Sequence, residues 1–189
     1  MTTREMEAYL SKYLDPRRNI IIPNASWGLG VHECDLLAIS VAGYATEIEI
    51  KISRADLRAD VKKHHDHKSQ KIKFLYFAVP SELARDVLLD TNIYEKPAHG
   101  WHGAQQRGLL PPQAGVLIVA STGRVFCARK AAANSGAEPF DAKAWQKFAR
   151  LMTLRYWDQH HTISGLRHEV DGLREVAKKF IERNSGEKV

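Results

Sequence analysis

Six consecutive residues, Glu47-Ile48-Glu49-Ile50-Lys51-Ile52, alternate charged and apolar side chains without a break. On a β-strand, successive side chains point to opposite faces. The segment therefore reads as a strand with Ile48, Ile50 and Ile52 on one face and Glu47, Glu49 and Lys51 on the other. A chain that contains such a strand must build a sheet with an apolar layer on one side. It must also find an environment for three charges on the other.

The neighbouring segments supply that sheet. Met6, Tyr9, Leu10, Tyr13 and Leu14 recur at helical spacing, so residues 4–14 read as a helix that ends before Pro16. Residues 19–23 form a short apolar run, a strand. Residues 33–41 and 44–53 read as two strands joined by a turn at Ala42-Gly43-Tyr44, a hairpin. A helix is expected from Arg54 to about Lys68. Residues 73–79, KFLYFAV, are too apolar for a half-exposed strand and are expected at the centre of the sheet. A short helix follows from Ser81 to about Leu89. Residues 90–113 show no periodicity and read as a long loop. Two further strands, 115–120 and 124–128, flank a Ser-Thr-Gly turn.

The expected domains are an α/β unit on a mixed sheet over 1–130, a linker over 131–140 and a helical extension over 141–183. The extension reads as two helices, about 141–160 and 164–183. In the second, Leu166, Val170, Leu173, Ala177 and Phe180 follow a 4-3-4-3 spacing. That is either a seam for pairing with another helix, making a homodimer through these helices a candidate, or a stripe docked on the protein's own body.

The 189 residues carry a formal net charge of +6, which suits a polyanionic partner. No apolar run reaches the roughly 18 residues of a membrane span, so no membrane partner is expected. The first residues, MTTREMEAYL, lack the apolar core of a secretory signal. Cys34 and Cys127 sit in apolar contexts and read as buried free thiols, in keeping with a reducing cytoplasm.

If strands 33–41 and 44–53 pair, Asp35 can stand beside Glu49 on the charged face. Adjacent carboxylates repel one another unless a cation lies between them. Oxygen donors of this kind suit Mg²⁺ or Mn²⁺. Hydrolysis of a phosphodiester needs such an ion and a fixed positive charge beside the attacking water. Lys51 lies on the correct face for the second role. Without metal the clustered carboxylates repel, so replacing Glu49 or Lys51 is expected to hold or raise stability.

The stretch ECDLLAIS, then TEIEIKISRADLRADVKKHH, then KIKFLYFAVP resembles the PD-(D/E)XK nuclease superfamily. Within it the stretch is most similar to the MmcB-like DNA-repair proteins. Asp35 matches the family's strand aspartate, and Glu49 and Lys51 match its E-x-K pair. Asp56, Asp60 and Lys62 fall on its helix pattern, and Leu110 to Ala120 resemble a later segment. The likeness covers about residues 1–130. It departs at Glu33-Cys34, where the family often carries Arg, and the loop at 90–109 is longer.

The resemblance implies a restriction-endonuclease-like sheet and a metal-dependent deoxyribonuclease. Asp35, Glu49 and Lys51 would be its catalytic residues. Asp35, Glu49 and the carbonyl of Ile50 would be its metal ligands, and DNA its partner. It also implies a metal-orienting glutamate on the first helix, for which Glu7 is the choice over Glu5. An ordinary first-turn glutamate is the other reading of Glu7. Lys62 is a candidate phosphate contact. Lys63 and His67 belong either to a solvated helix face or to the edge of a nucleic-acid groove. Asp56 reads first as the partner of Ser53 in a helix cap. Two alternatives stay open: a non-catalytic nucleic-acid-binding protein on the same fold, and an RNA-directed nuclease. If basic side chains grip phosphates, duplex affinity is expected to fall steeply between about 50 and 200 mM salt. Fluorescence anisotropy over that range checks this, and a flat profile would make the net charge incidental.

Overall fold

The computed structural model describes residues 1–25, 33–61, 69–89 and 110–185. Two compact units emerge, Met1–Asp141 and Ala142–Val189.

The first unit opens with helix α1, Thr3–Tyr13. Thr2 caps it: its hydroxyl accepts from the Glu5 N–H, and the Glu5 carboxylate accepts from the Thr2 N–H. Strands β1 (Asn19–Ala25), β2 (Cys34–Ser40) and β3 (Ala45–Ile50) follow, then helix α2 (Arg54–Val61) and strand β4 (Ile72–Pro80). A single 3-10 turn, Ser81–Leu83, leads into the short helix α3, Ala84–Leu88. Strands β5 (Gly115–Val119) and β6 (Val125–Arg129) complete a six-stranded sheet ordered β1-β2-β3-β4-β5-β6. The outer pairs are antiparallel, whereas β3, β4 and β5 run parallel. The apolar segment 73–79 thus lies at the centre, where both faces are covered.

One face packs on α1. Met6 and Leu10 meet Leu36, Ile48, Ile50 and Leu117. The other face carries Leu75, Phe77 and Val79 under Leu57 of α2 and Val87 of α3. Leu110, inside the stretch read as loop, and Ala114, just after it, belong to this second core. An ion pair between Arg54 and Asp86, with contacts of 2.6 and 2.9 Å, links α2 to α3.

Residues 131–140 differ from a free linker. Asn134 donates its N–H to the Lys73 carbonyl and its side-chain amide to that of Ile72. The Phe140 N–H donates to Gly43, and the Phe140 ring is buried. Cys127 also departs from expectation: it is exposed on the edge strand β6, while Cys34 is buried.

The second unit is one helix, α4, Ala142–Ser185, 44 residues long. The break expected near residues 160–164 is absent. No proline interrupts this stretch, and Gly165 and Gly172 each cost only about 1 kcal/mol relative to Ala. Thr162 donates its hydroxyl to the Asp158 carbonyl one turn back, which satisfies it within the helix. Among the described residues no helix is long and apolar enough to cross a membrane.

Gly115 is required by packing. A Cβ there would meet the edge of the Tyr76 ring, its cross-strand neighbour, and come within 2.7 Å of the Ala131 nitrogen. Gly115→Ala is expected to destabilise the sheet unit by about 1–3 kcal/mol, the scale of overpacking. Gly136→Ala, which meets only ordinary contact at 3.6 Å, should stay within about 0.5 kcal/mol of wild type. Urea denaturation of the two variants checks both.

Candidate active site

In the β2–β3 hairpin Leu36 stands opposite Ile48 and Leu37 opposite Glu47. Carried one residue further, this register sets Asp35 opposite Glu49. In the parallel pair with β4, Glu47 lies beside Leu75 and Glu49 beside Phe77. The Lys51 N–H donates to the Ala78 carbonyl at 3.0 Å, so the pairing continues past the end of β3. Asp35, Glu47, Glu49 and Lys51 therefore share the sheet face covered by α2 and α3. The isoleucines at 48 and 50 face α1, as the alternation predicts. Ile52, which continues that alternation in the sequence, lies beyond the strand and is exposed.

The charges lie deep. Glu47 is fully buried, Glu49 is 6% exposed and Lys51 3%. Lys51 Nζ lies 2.9 Å from Glu49 Oε2 and 5.8 Å from the centre of the Phe77 ring. The ring's face offers the ammonium a second favourable partner in a dry environment. Asp35 Oδ2 accepts the Ile50 N–H at 2.7 Å. This bond ties the carboxylate of β2 to the backbone between Glu49 and Lys51. Neither Asp35 Oδ1 nor Glu49 Oε1 receives a hydrogen bond among the described residues.

Burial holds the Glu49 carboxyl above its ordinary pKa near 4.5. The Lys51 ammonium opposes this shift, and Asp35 and then Glu47 reinforce it. The Cys34 thiol is also pushed up, mainly by burial and then by Glu47, Glu49 and Asp35. It is a packed, unreactive thiol.

Three of the residues singled out from the sequence thus come together: Asp35, Glu49 and Lys51. Ile50 joins them through its N–H. Glu7 does not. It lies half-buried on α1, whose Met6 and Leu10 pack on the opposite face, and it makes no hydrogen bond or ion pair with the three among the described residues. Periodicity tells which side of a helix meets the sheet but not which face of the sheet it covers. Ser53 accepts the Asp56 N–H at 3.1 Å and Asp56 reaches back to the Ile52 N–H, so Asp56 serves the start of α2. Lys62, Lys63 and His67 lie outside the described residues. Phe77 was not marked as a site residue, since only the register of β3 against β4 puts its ring beside Lys51.

The donor set can be tested against a divalent ion. Among the described residues no group of three or more His, Cys, Asp or Glu side chains could hold a metal. Two carboxylates with free oxygens fit the habit of Mg²⁺, which keeps several waters and binds through one or two carboxylates plus substrate phosphates.

Neither a family model nor a curated protein matches the sequence. Among solved structures, a protein of unknown function from Silicibacter pomeroyi is similar. Its TM-score is 0.54 at 22% identity, over 82% of this chain and 90% of that one. At that identity the likeness bears on the fold alone.

The buried pair sets two stability outcomes. A carboxyl whose folded pKa exceeds its unfolded value contributes most below the unfolded pKa, and that contribution is lost as pH rises through the folded one. Glu49→Gln removes this titration. Guanidinium unfolding should show the stability difference shifting in the variant's favour as pH rises from about 4.5 and levelling off once Glu49 is ionised, on top of a pH-independent cost for the lost partner of Lys51. For Lys51 the structure reverses the sequence-based expectation. Lys51→Ala strips the cation from a buried carboxylate and should cost about 3–5 kcal/mol at neutral pH. A neutral result would mean that the pair is solvated.

Proposed function

We propose that this chain is a metal-dependent nuclease that hydrolyses phosphodiester bonds in DNA on a restriction-endonuclease-like sheet. The observation that carries this is the meeting of Asp35 and Glu49 on one sheet face, with the Lys51 ammonium 2.9 Å from Glu49. Burying several carboxylates around a single lysine is costly, and packed apolar residues would serve stability at least as well. Groups held at such cost with a shifted pKa are candidates for chemistry. The resemblance of these residues to the PD-(D/E)XK pattern, and to the MmcB-like DNA-repair proteins in particular, points the same way.

Asp35 and Glu49 would hold Mg²⁺ or Mn²⁺, with the Ile50 carbonyl as a further ligand. The chemistry such an ion supplies when bound is neutralisation of phosphate charge and a more acidic water. The protein's own part is distinct. Asp35 stays oriented because its second oxygen is tied to the Ile50 N–H. Lys51 places a fixed positive charge beside the carboxylates, where it can orient the attacking water and stabilise charge growing on the phosphate. Phe77 and the α2–α3 layer exclude bulk water from one side of the ammonium, which strengthens both effects. Glu7 has no part in this scheme.

A second reading, a non-catalytic nucleic-acid-binding protein, is favoured by one observation: Lys51 is almost wholly buried and already paired with Glu49. Cleavage assays separate the two. Duplex, nicked, branched and single-stranded DNA, with RNA counterparts, are incubated with Mg²⁺ or Mn²⁺ in a preparation free of contaminating nuclease. Cleavage should require the ion and vanish on chelation. Glu49→Gln and Asp35→Asn should each lower the rate by at least about 10²-fold with little change in duplex binding. Mg²⁺ or Mn²⁺ should raise the Tm of wild type but not of Glu49→Gln. Wild-type cleavage rates in both variants would leave only a charged sheet face and favour the binding protein, while cleavage confined to RNA would redirect the substrate.

A further inference from the structure

Taken by itself, helix α4 carries an apolar seam along its C-terminal half. Ile163, Leu166, Val170, Leu173, Ala177 and Phe180 repeat at spacings of three and four over residues 163–183, three full heptads. The five large side chains among them are 45–66% exposed. In heptad terms Ile163, Val170 and Ala177 occupy a positions, and Leu166, Leu173 and Phe180 occupy d. The outward f positions are His161, His168, Glu175 and Glu182, and the c positions include Gly165 and Gly172, both in open space. Apolar side chains thus gather on one seam and polar or small ones stand opposite it.

We propose that the occupant of this seam is a second copy of the chain, in a parallel, in-register, two-stranded coiled coil over residues 163–183. Three observations single out that occupant. In the first two heptads β-branched Ile163 and Val170 stand at a with Leu166 and Leu173 at d, a combination that favours two parallel strands. In that pairing a g residue faces the e residue five positions on in the other helix, so Glu169 meets Arg174 on both sides of the seam. Within one chain Arg174 has only an exposed 3.4 Å contact with Asp171, too weak to hold it back. The next g and e residues, Val176 and Ile181, are both apolar and exposed, and the same pairing brings them together. An antiparallel pairing with equal overlap brings e positions together instead, setting Arg167 against Arg174. The seam and its charges are independent of the nuclease chemistry.

Sedimentation equilibrium of the full chain tests this. A dimer is expected at micromolar concentration. Leu166→Glu with Leu173→Glu should yield a monomer whose sheet unit melts as before, since both side chains are exposed in the single chain. Glu169→Arg and Arg174→Glu should each weaken the dimer by about tenfold in Kd, as two attractive pairs become repulsive, and the double reversal should restore it. Gly165→Ala, on the outer face, should leave the dimer intact. A wild-type chain monomeric at 100-fold higher concentration, a trimer or tetramer, or a monomer that instead binds anionic vesicles through this helix would overturn the proposal. Failure of the double reversal to restore association would overturn the parallel register.

Discussion

The ion pair between Lys51 and Glu49 sets the demand that the surrounding fold must meet, two charges held on a dry sheet face. It lies on a face otherwise built from Leu75, Phe77 and Val79, under Leu57 and Val87. Taking two charges out of water costs several kcal/mol per ion, and only close geometry with further polar contacts offsets that. The fold supplies both. The parallel pairing of β3 with β4 draws Lys51 along the strand to the Ala78 carbonyl, and the Phe77 ring stands beside the ammonium. Glu49 still carries the mark of the penalty in its raised pKa.

Asp35 adds a constraint of a different kind. Its carboxylate is bound to the Ile50 N–H, so it is held by the backbone of the very strand whose side chains it faces. A shift of the β2–β3 register by one residue would break that bond. It would also turn Asp35 to the α1 face and set Leu36 against Glu49. The apolar residues of α1 lock the register from the other side, because Met6 and Leu10 need Leu36, Ile48 and Ile50 together. The geometry of the charged cluster is therefore set by packing on the opposite face of the sheet.

The two units differ in what holds them. Residues 131–140 are bound to the sheet through Asn134 and Phe140, so the first unit ends only at Asp141. Helix α4 is about 66 Å long at 1.5 Å per residue, and from residue 154 onward its large apolar side chains are exposed. Isolated helices draw little stability from propensity alone. A partner along the seam would supply the packing that a single chain leaves undone.

Much of the sheet was legible in the sequence because its signals are local. Alternation over residues 47–52 marked β3 and told its faces apart. The apolar run at 73–79 marked a central strand, and Gly43 marked the hairpin turn. The same alternation put Glu49 and Lys51 on one face, and the expected hairpin with residues 33–41 added Asp35. What the sequence could not reveal depended on contacts between distant segments. Which sheet face α1 covers separates Glu7 from the carboxylates, and no periodicity within the helix carries that information. The ring of Phe77 joins Lys51 only through the parallel register. The small residues after β6 looked like a linker until backbone hydrogen bonds to Gln70, Lys73 and Gly43, and one from the Asn134 side chain to Ile72, fixed them against the sheet unit. The two helices read at about 141–160 and 164–183 are one helix, because no proline stands between them to interrupt it. Local pattern decides which residues form a strand and which way they point; only the packing of strand on strand and helix on sheet decides which charges meet and how far water is kept from them.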